Sequence, residues 1–159
     1  MQPTRPPIGL TLARAARLVS RAFDEALSAG EGSLPVWLVL LNVKVRPSAT
    51  QRELAATVGV REATLTYHLN SMEAAGLLSR RRDEANRRVH IVELTEAGEA
   101  AFLRLRKAAL AFDRRLRKGI ADDEAAELER VLDRLVANVG TGEPGAAPWA
   151  GLIDRTAEP

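Results

Sequence analysis

Cysteine is absent from this sequence of 159 residues, and histidine occurs only twice. Without thiols the protein can form no disulfide, no thiolate metal site and no thiol-based redox sensor. The two histidines, His68 and His90, are too few for a histidine-rich metal site within one subunit. We therefore expect neither a metal ion nor another cofactor.

Long apolar runs are lacking as well. The longest, residues 34–43, is interrupted by Pro35 and Asn42 and is too short to span a bilayer. The first residues contain no continuous apolar region of the signal-peptide type. We expect a cytoplasmic protein without a membrane partner.

The residue sets of common enzymes are also missing. The sequence contains no recognisable nucleophile–base pair, no phosphate-cradling glycine loop and no set of metal ligands. Its composition, 46% hydrophobic and 28% charged, is nevertheless that of an ordinary globular protein. These features favour a folded binding protein and not an enzyme.

The basic residues are unevenly distributed. The net charge is only +2, but 20 of the 23 basic residues are arginines. An arginine excess over the whole chain is equally explained by a GC-rich genome, which does not account so easily for a local cluster. The planar guanidinium group suits phosphates, guanine edges and narrow minor grooves, so the cluster favours a nucleic-acid partner. Its members are Arg80, Arg81, Arg82, Arg87 and Arg88.

Apolar residues recur at helical spacing along most of the chain, which predicts a mainly α fold with one small β-hairpin. Thr50 and Glu53 form a capping-box pattern at the start of one short helix, and Gly59 supplies a sharp turn after it. A second short helix runs from about Arg61 to Ala75 and is ended by Gly76. Residues 78–94 then form a basic hairpin, because residues 89–94 of its returning piece show the period of two that is typical of a strand. This order predicts a winged helix-turn-helix.

The second of these helices has the surface expected of a DNA-reading element. Leu65, Leu69 and Met72 form its inner face, and the opposite face is small, polar and aromatic without an acidic residue. A carboxylate there would be repelled by phosphate, so the face suits a major groove. Tyr67 and Asn70 are the best candidates for base edges. With the phosphate and wing candidates, the predicted DNA-contacting residues are Thr64, Thr66, Tyr67, Asn70, Ser71, Arg82, Arg87 and Arg88.

Residues 50–100 resemble the core of the MarR family of bacterial regulators. The carrying motifs are Q-x-E-L-A from Gln51, G-V-x-x-x-T-L-T from Gly59, the arginine-rich wing and L-T-x-x-G-E from Leu94. The resemblance implies that Arg87 and Arg88 match the wing arginines, one of which usually enters the minor groove. The family usually has aspartate before this pair, and Asn86 stands there instead. The matching recognition-helix contact positions are Thr64, Thr66, Tyr67 and Asn70.

A long helix predicted from Thr95 to about Lys118 carries a coiled-coil-like seam. The seam, together with the apolar stripes on the first and last helices, predicts a dimer core. The alternative is that these stripes only close the core of the monomer. A homodimer would read a pseudo-palindromic operator. We therefore divide the chain into an arm (1–7), a helical dimerisation region (8–32 and 95–139), a winged helix-turn-helix domain (33–94) and a tail (140–159). The seam residues are Phe102, Leu105, Ala109, Phe112 and Leu116.

The resemblance also implies a pocket for small aromatic or phenolic acids between the dimerisation helices and the winged helix-turn-helix domain. An arginine there suits an anionic ligand and a tryptophan suits an aromatic ring. The alternative is that Phe23 and Trp37 are ordinary core residues without a role in ligand binding. The candidate lining is Arg17, Phe23, Trp37, Leu41 and His68.

These patterns predict a sequence-specific transcriptional regulator, most simply a repressor, whose DNA affinity responds to a small ligand. Its partners are double-stranded DNA, a second copy of the chain and the effector. The alternative is a winged-helix protein-interaction module, such as an anti-regulator, that has no affinity for DNA.

Overall fold

The computed structural model describes residues 6–46, 50–86 and 90–140. Within these ranges it contains six helices and one antiparallel hairpin, which confirms the predicted fold class. Most of the arm and all but the first residue of the tail lie outside the described residues. The elements are α1 (Ile8–Ser28), α2 (Leu34–Val45), α3 (Gln51–Val58), α4 (Glu62–Ala74), β1 (Leu78–Arg82), β2 (His90–Leu94), α5 (Glu96–Leu116) and α6 (Asp122–Val139).

Capping groups explain where the central helices begin. The Ser33 hydroxyl accepts from the Val36 N–H at the start of α2, and the Asp24 carboxylate accepts from the Leu34 N–H at 2.7 Å. At the start of α3 the Thr50 hydroxyl accepts from the Glu53 N–H, and the Glu53 carboxylate accepts from the Thr50 N–H at 2.7 Å. These bonds satisfy N–H groups that have no partner inside their own helix.

Helix α2 forms the centre of the hydrophobic core. Val39, Leu40 and Leu41 are almost completely buried, as expected for a helix that is apolar nearly all round. Asn42 is the one buried polar residue among those described, and its amide donates to the Leu38 carbonyl at 2.7 Å. The core therefore encloses α2 without leaving this amide nitrogen unsatisfied.

Three of the five seam residues of α5, Phe102, Leu105 and Phe112, pack inside the monomer, whereas Leu116 is 45% exposed. Phe102 stacks on Trp37 with ring centroids 5.6 Å apart, and Phe112 stacks on Phe23 at 4.9 Å. Leu105 is also buried. These three seam residues are thus covered by α1, α2 and the turn between them, and they cannot supply the core of a dimer. The periodicity correctly identified an apolar face but did not show what covers it.

Apolar side chains remain uncovered on α1 and α6. The described part of α6 contains no buried residue, and α1 contains only one, Leu27. Leu18 on α1 is 58% exposed and Leu128 on α6 is 54% exposed. Among the described residues, no helix combines the length and hydropathy needed to cross a membrane.

The hairpin is fixed to the rest of the domain at its base and through β2. Leu78 pairs with Leu94 at the base, and Ile91 forms an additional antiparallel bridge with Thr50. Thr95, which follows β2, donates its hydroxyl to the Gly76 carbonyl at 2.5 Å and its N–H to the Leu77 carbonyl at 3.2 Å. The exit of α4 and the entry to α5 therefore share one junction.

Gly98 makes this junction sterically exacting. A Cβ atom at residue 98 would lie 1.9 Å from the Leu77 carbonyl oxygen. We expect Gly98→Ala to lower the free energy of unfolding by about 1–3 kcal/mol, because backbone must move to relieve the overlap. Chemical denaturation measures this change.

Gly9→Ala on α1 is the matched control. A Cβ at Gly9 meets nothing within 4 Å, so alanine should leave stability unchanged or raise it slightly through its higher helix propensity. Equal effects of the two substitutions would contradict the close approach at Gly98.

Candidate nucleic-acid interface

Helix α4 is held firmly on the domain by its inner face and by α3. Leu65 and Leu69 are fully buried. The Gln51 side chain of α3 donates to the Thr66 hydroxyl at 2.6 Å, and that hydroxyl donates to the Glu62 carbonyl at 2.9 Å. Gly59 allows the turn between the two helices through its positive φ of 74°.

The outer face of α4 brings most of the predicted contact residues together. Tyr67 is 70% exposed, and Thr64, Asn70 and Ser71 are exposed beside it. Thr66 differs, because it is half-buried and its hydroxyl already bonds within the helix-turn-helix. The available polar atoms are therefore a phenol, an amide and two hydroxyls.

Arg80 connects the hairpin to α4 through two side chains. Its guanidinium forms an ion pair with Glu73 and donates through Nη2 to the Asn70 Oδ1 atom at 2.6 Å. The hydrogen bond from Arg80 also lowers the pKa of the Glu73 carboxyl. Only 21% of the Arg80 side chain is exposed. Arg80 therefore acts as a structural tie, a role that the arginine cluster alone did not reveal.

A signal for this role is present in the strand pattern. Side chains two residues apart on a strand share a face, so Arg80 lies on the same face as the buried Leu78. Its pairing partner Val92 is also buried. An arginine on the inner face of a hairpin needs a carboxylate within reach, which here is Glu73.

The other two described arginines of the cluster lie in different environments. Arg81 forms an ion pair with Glu93 on β2 at 2.9 Å, and the hydrogen bond to Glu93 raises the pKa of Arg81. Arg82 is exposed at the end of β1 and forms no ion pair with any described residue. At the tip, the Asp83 carboxylate accepts from the Ala85 N–H at 2.7 Å. Arg82 is thus the described wing arginine whose charge is most available to a ligand.

Arg87 and Arg88, the two predicted wing arginines, lie outside the described residues. Asn86 is described and exposed. Which arginine of the pair enters a groove therefore stays a prediction from the sequence resemblance.

The predicted ligand-lining residues lie in different surroundings. Arg17 is exposed on α1, and Leu41 is buried in α2. Phe23 and Trp37 are each stacked on an α5 phenylalanine, as their alternative assignment to the core predicts. His68 is half-buried and contacts the Tyr67 ring edge-on at 5.6 Å. Among the described residues, no three His, Asp or Glu side chains come together as metal ligands.

Comparison with known proteins places this geometry in a family context. The model of the MarR family matches residues 33–90. The transcriptional regulator PA3341 has a similar structure, with 34% sequence identity, a TM-score of 0.74 and coverage of 84% of this chain and 98% of that one. The transcriptional repressor CouR bound to a 23-mer DNA duplex has 27% identity, a TM-score of 0.76 and coverage of 82% and 92%.

A further structure, CouR from Rhodococcus jostii RHA1 bound to p-coumaroyl-CoA, has 24% identity and a TM-score of 0.74 over 85% of this chain and 95% of that one. At this identity the similarity establishes the fold alone. The helical frame and the hairpin therefore match those of solved regulators over nearly their whole length.

The capping box of α3 gives the stability of the folded protein a testable pH dependence. The hydrogen bond from the Thr50 N–H lowers the pKa of Glu53 below 4.5. A lowered carboxyl pKa stabilises the folded state above pH 4.5, and this contribution disappears as the pH falls through the lower, folded-state pKa.

We expect Glu53→Gln to reduce the free energy of unfolding at neutral pH, since a neutral amide is a weaker acceptor than a carboxylate. The difference from the unmodified protein should shrink under acidic conditions. Denaturation measured at several pH values on both sides of 4.5 tests this. A difference that stays constant over that range would contradict the role of the Glu53 charge.

Proposed function

This chain belongs to the MarR family of transcriptional regulators, and we propose that it binds DNA sequence-specifically, most simply as a repressor that blocks its operator. The observation that carries this proposal is the exposed polar face of α4 beside the arginine-rich hairpin. As a regulator of a bacterial chromosome it would act in the cytoplasm.

The dimensions and chemistry of α4 fit this function. A major groove about 12 Å wide admits one helix, and α4 keeps its inner residues buried while it presents Tyr67 and Asn70 outward. Hydroxyls of Thr64 and Ser71 are suited to phosphate oxygens. Thr66 remains in the proposed set as a residue that positions α4 through its bond to Gln51.

The wing supplies the charge. Arg82 is exposed without an ion pair to any described residue, and the sequence places Arg87 and Arg88 in the same hairpin. Arginines of a wing suit phosphates and the narrow minor groove. The similarity to a CouR structure that contains a DNA duplex supports this arrangement.

We also propose that the regulator is a homodimer. Phe102, Leu105 and Phe112 of the α5 seam are buried within the monomer, so the proposed interface consists mainly of the uncovered apolar faces of α1 and α6. In this proposal residues 8–32 and 95–139 form the dimerisation region, and residues 33–94 form the DNA-binding domain. The two DNA-binding domains of the dimer would then occupy half-sites about 34 Å apart, which is one turn of DNA, or a multiple of that distance.

A small aromatic or anionic effector is proposed to modulate the affinity for DNA. The related CouR structure with p-coumaroyl-CoA supports this class of ligand. Trp37 and Leu41 are buried, and the Phe23 ring is stacked on Phe112. An effector that contacts the Phe23 or Trp37 ring must therefore separate α5 from α1 or α2. Arg17 lies on the surface of α1, where an anionic group can reach it directly.

A mobility shift on the DNA beside the protein's own gene tests the proposed function. Specific DNA binding should weaken steeply as the salt concentration rises, because phosphate contacts release counterions. No shift at low salt on any candidate operator would favour the alternative, a winged-helix module that binds protein and not DNA.

Arg82→Ala should weaken binding to all DNA sequences to a similar extent and reduce the salt slope by about one. The reason is that Arg82 offers an exposed charge at the wing that forms no ion pair with any described residue, so we assign it to phosphate and not to a base. Measurement of the dissociation constant at several salt concentrations gives both quantities.

Arg104→Ala on α5 is the control, because it removes one exposed arginine that lies outside the hairpin and forms an ion pair with Glu31 at 3.8 Å. It should leave the salt slope unchanged. If both variants reduced the slope equally, overall charge and not the wing would account for the effect.

Leu128→Glu should convert the dimer to monomers, since a carboxylate on the exposed apolar face of α6 would be buried in the proposed interface. Analytical ultracentrifugation measures the change. Ala137→Glu places the same charge on the opposite side of α6 and should leave the dimer intact. Dimers of unchanged stability in Leu128→Glu would exclude this face of α6 from the interface.

A further inference from the structure

We propose that Arg80 holds the side-chain amide of Asn70 in one orientation, so that Asn70 reads guanine through its amino group. The inference rests on the DNA-binding function proposed above and names a specificity determinant within it. Arg80 is a positioning residue in this scheme, and Asn70 is the residue that touches the base.

The orientation of the amide follows from the chemistry of its partner. A guanidinium group has only hydrogen-bond donors, so only the oxygen of the Asn70 amide can face it. Nη2 of Arg80 donates to that oxygen at 2.6 Å. The Nδ2 amino group, with its two donor hydrogens, is therefore turned away from Arg80.

Arg80 itself is fixed strongly enough to impose this orientation. Glu73 lies one turn after Asn70 on α4 and forms an ion pair with the same guanidinium. The β1 residue Arg80 also pairs with Val92, which is buried. Because its charge is balanced by Glu73 and its side chain is only 21% exposed, Arg80 is poorly suited to contact phosphate directly.

The fixed amide distinguishes between the purines. In the major groove guanine presents two acceptors, N7 and O6, whereas adenine presents the acceptor N7 and the donor N6. The usual bidentate pairing of asparagine with adenine requires the amide oxygen to accept from N6. In this protein that oxygen already accepts a charge-assisted hydrogen bond, which adenine would have to share or replace. Guanine needs only the amino group.

Base preferences of the full-length protein test the proposal. Binding sites selected from randomised DNA are remade with each of the four bases at each position, and affinities are measured for the unmodified protein and Asn70→Ala. We expect one position per half-site at which Asn70→Ala removes the preference. At that position the unmodified protein should prefer guanine to adenine by about tenfold.

Arg80→Met should reduce this guanine preference to about twofold or less and leave the preferences at other positions in place. Arg81→Met is the matched control, because Arg81 pairs with Glu93 within the hairpin and not with α4. It should retain the guanine preference. Thermal unfolding of each variant shows whether it is folded.

Arg80→Lys provides a second route if Arg80→Met does not fold. Lysine keeps a positive charge near Glu73 but lacks the planar fork that reaches both side chains. The guanine preference should therefore fall from about tenfold to about threefold, a loss of about half of the discrimination free energy. A preference for adenine, a guanine preference that survives loss of Arg80, or an equal effect of Asn70→Ala on all bases would each overturn the inference. If the unmodified protein binds no DNA, the proposed function itself fails.

Discussion

The burial of α2 is the constraint on which the rest of the structure depends. A helix with apolar residues on nearly every side cannot face water anywhere along its centre, so other elements must surround it. The helix-turn-helix, β2, α1 and α5 all pack against it. Phe102 of the α5 seam takes part in this enclosure by stacking on Trp37. Apolar side chains that this enclosure does not cover remain on α1 and α6.

The arginine cluster separates into structural and available charges. Arg80 and Arg81 face glutamates at Glu73 and Glu93, and Arg82 has no such partner among the described residues. A count of arginines in the sequence therefore overstates the charge that can meet a phosphate. The internal pairs instead align β1 with α4 and with β2, so part of the basic character of the hairpin serves its shape.

Local signals in the sequence predicted the helix limits well. The Thr50–Glu53 capping box, the turn at Gly59 and the strand β2 were each predicted from residues close together in the chain, and all three are present in the structure. The partners of Arg80, Phe23 and Trp37 were not predicted, because a period reveals which face is apolar or charged but not which distant element covers it. The contacts of Arg87 and Arg88 rest on the resemblance alone.

The bridge between Thr50 and Ile91 has a mechanical consequence. Thr50 begins α3 and pairs with β2, and Arg80 of β1 donates to Asn70 of α4, so the helix-turn-helix and the hairpin are tied into one unit at two points. Such a unit has little freedom to change its own shape. In the proposed homodimer, control by an effector would therefore act on the distance and angle between the two DNA-binding units and leave the shape of each unit unchanged.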